Sequence, residues 1–101
     1  MERLRAGAIR ALLGRGISAA DVAGLRLKDV RELTGGVHLP GGRVVFLGGA
    51  AKAAVSRWGG WRRRHLGAGA NRRAYLVSDT GARLTPAEVE AIGSPGQGAG
   101  G

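Results

Sequence analysis

Leu4, Ala8, Ala11 and Leu12 fall three or four residues apart, and Glu2, Arg3 and Arg10 stay off that line. This spacing predicts an amphipathic helix over residues 2–13. Gly14-Arg15-Gly16 ends it, because glycine after the last periodic residue is a helix stop. Ser18-Ala19-Ala20-Asp21 then has the form of a capping box, with Asp in place of the usual Glu. Asp21 also suits the positive end of the helix dipole. Val22 and Leu25 face inward from this second helix. From Leu25 to Val30 the pattern alternates, which fits either an extended connection or a short helical turn.

Two apolar runs, Val37-His38-Leu39 and Val44-Val45-Phe46-Leu47, flank Pro40-Gly41-Gly42 and predict a hairpin. Ala51, Ala54, Val55, Trp58 and Trp61 form one stripe of a helix over residues 50–66, with Lys52, Ser56 and Arg63 on the other side. Gly59-Gly60 weakens its middle by about 1 kcal/mol each against Ala, so a kink is expected there. Residues 67–71 read as a loop, 74–78 as a short strand and 79–81 as a turn. Thr85-Pro86-Ala87-Glu88 is a complete helix start, with Thr at the cap, Pro at the first helical position and Glu closing the box. Val89 and Ile92 face inward. The segmentation gives one domain over residues 1–93 and a disordered Gly-rich tail over 94–101. The expected fold class is α+β, with helices packed around a small antiparallel sheet of two or three strands.

Composition narrows the function. The chain has 101 residues, which allows one small domain. Twenty Gly and four aromatic residues leave a modest core. With no cysteine there is neither a disulfide framework nor a thiolate metal site. No apolar run approaches the ~18 residues of a membrane span, and the N-terminus is too polar for a signal peptide, so a cytoplasmic protein is expected. Sixteen basic against seven acidic residues give a net charge of +9, which points to a polyanion. Fourteen of the sixteen are Arg, a bias that GC-rich codon usage also produces.

The stretch Ser18-Ala19-Ala20-Asp21-Val22-Ala23-Gly24-Leu25-Arg26-Leu27-Lys28-Asp29-Val30 resembles a segment of the tyrosine recombinases, or phage integrases. The acidic residue, the Leu-Arg pair and the Asp-Val end line up. The family continues with a small sheet, a helix bearing a Trp, a strand, a Gly turn and a capped helix. Residues 37–47, 50–66 and 75–89 are similar in order and length. The resemblance covers residues 4–93 and implies DNA recombination and integration ancestry, in a mobile element or beside an intact recombinase. In that family a Tyr attacks a DNA phosphodiester, and two Arg, a Lys and a His stabilise the transition state and move protons. Here Ser18 stands at the first Arg position, and Arg15 fits only with a shift. The hairpin offers Arg43 in place of Lys, and Arg is a poor general acid. No His-x-x-Arg motif occurs, and Tyr75, the only Tyr, falls on a strand. No catalytic residue is therefore assigned, and the chain is expected to lack strand cleavage.

The candidate DNA-binding residues are Arg15, Arg43, Arg62, Arg63, Arg64, Arg72 and Arg73. Five of them lie within residues 62–73 with no acid between. They form either a phosphate-gripping patch or a solvated helix end. His65 borders the apolar stripe and reads as a partly buried histidine. With His38 as the only other His, no metal site is indicated, and no cofactor is expected. Trp58 and Trp61 read as core, with base stacking the alternative. The expected partner is double-stranded DNA, with no membrane and no small-molecule substrate. Two other functions fit the sequence. One is a helix-turn-helix regulator whose recognition helix spans residues 25–33. The other is an interaction piece or decayed product that exposes apolar surface.

Overall fold

The computed structural model describes residues 2–65, 73–78 and 80–94. Helix α1 (Glu2–Gly14) is followed by Gly16, whose φ of 82° turns the chain into the left-handed region that glycine adopts without strain. Ser18 then caps α2 (Ala19–Ala23), its Oγ accepting from Asp21 N at 3.2 Å. Residues Leu27–Asp29 form a single 3-10 turn, and β1 (Val30–Arg31) follows. The alternating stretch is therefore a short turn leading into a strand. Residues 25–33 contain no α-helix, so the recognition helix of a helix-turn-helix is not formed. The reason is local: Arg26 and Asp29 close the 3-10 turn on each other, and Val30 leaves it with extended φ/ψ.

β2 (Gly36–His38) and β3 (Val44–Phe46) make the expected hairpin, and β1 extends it into a three-stranded antiparallel sheet in the order β1-β2-β3. Val30 pairs with Val37, and Val37 pairs with Val45. The hairpin turn Pro40–Gly42 carries φ of 83° at Gly41 and 81° at Gly42. Gly35 is the tighter requirement. Its φ is 78°, its amide donates to Arg31 O at 2.7 Å, and its carbonyl accepts from Leu47 N at 2.8 Å. Any side chain there would run into the Leu47 carbonyl.

α3 (Gly49–His65) is one continuous helix through Gly59-Gly60, with no break at the expected kink. α4 (Pro86–Gly93) has the full capping box: Glu88 N donates to Thr85 Oγ1 at 3.2 Å and Thr85 N donates to Glu88 Oε1 at 2.9 Å. The architecture is α+β, as the pattern predicted: among the described residues, four helices and a small antiparallel sheet. α1 packs against α3 and α4, and α2 packs against α4. Ile9, Leu12, Val22, Leu25, Val37, Val55, Trp58, Leu76, Val77 and Val89 are all buried in one cluster. Each large aliphatic side chain removed from water contributes roughly 1.5–3 kcal/mol.

Residues 74–78 do not form a full strand. They make two isolated bridges, Arg26 with Ala74 and Val77 with Arg83, because their neighbours are a helix exit and a loop rather than an open sheet edge. Backbone hydrogen bonds to Leu25, Ala82 and Leu84 and three side-chain hydrogen bonds fix the segment together. Trp58 Nε1 donates to Tyr75 O at 2.9 Å, Tyr75 Oη donates to Val55 O at 2.9 Å, and Arg5 Nη1 donates to Val77 O at 3.0 Å. The loop expected over 67–71 lies outside the described residues, as does the tail beyond Ser94, whose Oγ donates to Glu90 O at 2.7 Å.

Candidate nucleic-acid interface

The seven arginines named from the sequence do not share one environment. Arg15, Arg43, Arg64 and Arg73 are exposed. Arg62 is only 5% exposed. It lies seven residues after Val55 and four after Trp58, so it continues the buried face of α3 formed by Val55, Trp58 and Gly59. That spacing was visible in the sequence, but the charge concealed it. Burial lowers the pKa of its guanidinium from the ordinary value, though an arginine stays charged at neutral pH. Arg62 therefore belongs to the interior and is removed from the surface patch. Arg63 Nη1 is held 2.7 Å from Glu32 Oε2 across the gap between α3 and the β1–β2 turn. Arg72 lies outside the described residues.

Ser18, which stands at the family's first Arg position, and Tyr75, the only Tyr, both have structural roles. Ser18 uses its hydroxyl as the α2 cap. Tyr75 is 1% exposed, and burial pushes its phenol far above the ordinary value of 10.0. With its hydroxyl bonded to Val55 O, it presents no nucleophile at the surface. His65 is exposed rather than partly buried. It stacks on Trp61 at 4.6 Å between ring centroids, because the helix end puts it one turn beyond that ring. Trp61 in turn stacks on buried Trp58 at 5.9 Å. Trp58 is core. Among the described residues, no group of three or more His, Cys, Asp or Glu could hold a metal ion. No described helix is long and apolar enough to cross a membrane.

Two open clefts adjoin at Arg26. The first, about 510 Å³, lies between α2 and the hairpin turn, with Asp21, Arg26, Asp29, His38 and Pro40 on its walls. Arg43 follows that turn, and its carbonyl accepts from Leu39 N at 2.7 Å. The second, about 500 Å³, is lined by Arg26, Leu27, Lys28 and Arg73. Arg26 and Lys28 did not stand out in the sequence. In a chain with sixteen cations, only the tertiary pairing of residues 25–27 with 73–75 sets them beside Arg73.

Helices α1 and α2, the three-stranded hairpin sheet, the long Trp-bearing helix and the capped α4, in this order, make up a recombinase-like fold. The chain is similar to the crystal structure of XerA recombinase, with a TM-score of 0.78 and 20% sequence identity. The likeness covers 96% of this chain and 37% of that one, so the chain spans little more than a third of its length. At this identity the likeness is one of fold. No protein-family model matches the chain, and no curated protein matches it.

Proposed function

We propose that the chain is a DNA-binding, recombinase-like module that grips backbone phosphates of duplex DNA and does not cut the strand. The observation that carries this reading is the fold shared with XerA recombinase over nearly the whole chain, joined to a net charge of +9. Arg15, Arg43, Arg64 and Arg73 are the exposed cations that support it, while Arg63 is partly neutralised by Glu32. The buried Tyr75 and the cap role of Ser18 support an absence of strand cleavage. The module acts either as a mobile-element remnant or beside an intact recombinase on the same DNA.

The test is fluorescence anisotropy of the full chain with labelled duplex across a salt series. Binding that weakens linearly in log salt, with a slope of about −0.9 for each phosphate neutralised, supports the reading. No binding at low salt overturns it. A nicked duplex that becomes covalently attached to the chain overturns the non-cleaving part.

A further inference from the structure

Resting on the DNA-binding reading, we propose that the cleft lined by Arg26, Lys28 and Arg73 is a phosphate subsite that seats a phosphodiester of the duplex backbone. Three of the four described residues that line it are cations, and no carboxylate is among those four. The backbone holds these cations together. Leu27 N donates to Arg73 O at 2.8 Å, Tyr75 N donates to Leu25 O at 3.0 Å, and Arg26 bridges Ala74. Like charges fixed in this way repel one another, and an anion in the cleft relieves that repulsion.

Arg26 is also pre-set. Its Nε lies 3.1 Å from Asp29 Oδ2 and its Nη2 lies 3.3 Å from Asp29 Oδ1. The carboxylate is held further by Arg26 N at 3.0 Å. Two of the three guanidinium nitrogens thus anchor the group, and Nη1 remains for a ligand. A guanidinium fixed in advance loses little freedom when it binds an oxyanion. Lys28 is exposed, makes no ion pair among the described residues, and brings a mobile point charge to the same cleft. Asp29 offsets the charge of Arg26, and Lys28 and Arg73 stand beside that pair.

The test compares two double variants of the full chain on labelled duplex over a salt series. Lys28→Ala with Arg73→Ala removes the cleft cations. Arg3→Ala with Arg10→Ala removes two exposed cations of α1 outside it. All four side chains are exposed, and matching circular dichroism melts confirm that both variants fold. The cleft variant is expected to lose about tenfold in affinity at low salt and to have a slope shallower by about 2. The α1 variant is expected to lose less than about threefold, the long-range part alone. Equal losses in the two variants, or no loss in the cleft variant, overturn the subsite and leave the DNA-binding reading standing. A wild-type chain that does not bind duplex overturns both.

Discussion

Arg63 Nη1 meets Glu32 Oε2 at 2.7 Å, and the carboxylate comes that close to α3 only because residue 59 is glycine. A methyl group at position 59 would overlap Glu32 Oε1. Gly59 sits in mid-helix, where glycine costs about 1 kcal/mol against alanine. The glycine thus gives up helix stability for a link between the long helix and the β1–β2 turn. The pair is partly exposed, at 59% for Arg63 and 21% for Glu32, so screening limits its worth to about 1 kcal/mol at most.

These two terms oppose each other, which makes a double-mutant cycle informative. Gly59→Ala in the native background is expected to change stability by less than about 0.5 kcal/mol, since the helical gain is offset by the broken pair. In a Glu32→Ala background the same substitution is expected to stabilise by about 1 kcal/mol. Urea unfolding of the four proteins checks this. Identical effects of Gly59→Ala in both backgrounds would show that Glu32 does not occupy the space beside the glycine.

Arg62 and Arg64 are two residues apart on α3, one buried and one exposed, and their substitutions separate accordingly. Arg62→Ala is expected to lower stability by about 2–3 kcal/mol through the packing lost from the buried face of α3. Its effect on DNA affinity, measured below the melting temperature, is expected to be small. Arg64→Ala is expected to leave the melt unchanged and to make the salt slope shallower by about 1. Thermal melts and anisotropy on the same samples check both. A destabilising Arg64→Ala paired with a silent Arg62→Ala would reverse the assignment.

Asp29 links stability to pH. Burial raises its pKa, but the Arg26 side-chain and backbone hydrogen bonds and the charges of Arg26 and Lys28 outweigh that and hold it below the ordinary value of 3.8. A carboxyl whose folded pKa is depressed stabilises the fold above its unfolded value, and the stabilisation is lost as pH falls through the folded value. Asp29→Asn is therefore expected to cost about 1 kcal/mol at neutral pH, a figure kept low because Arg26 is half exposed. The difference from the native chain is expected to shrink as pH drops below 3.8. Urea midpoints measured across the acid range test this. A difference that widens in acid would contradict the sign.

The local signals in the sequence were strong enough to set the elements. The Thr85 and Ser18 caps, the Gly16 stop, the Pro40-Gly41-Gly42 turn and the α3 stripe each act over a few residues, and each formed as its residue types require. The order of those elements also carried the recombinase-like fold. What the sequence left open depended on contacts between residues far apart in the chain. Residues 74–78 have the composition of a strand, yet their place in the fold is set by Trp58, Val55 and Arg5 together with short backbone bridges to distant segments, not by a place in the three-stranded sheet.

The cationic surface shows the same division. The sequence determined that the chain carries an excess of nine positive charges, and composition alone fixes that number. Only the tertiary structure decided which guanidinium groups meet solvent. Burial of Arg62 follows from how α3 lies on the core, and neutralisation of Arg63 follows from a carboxylate thirty-one residues away. Arg26, Lys28 and Arg73 come together because two distant backbone segments pair. Charge belongs to each residue by its chemistry, whereas exposure and proximity come from the packing of the whole chain.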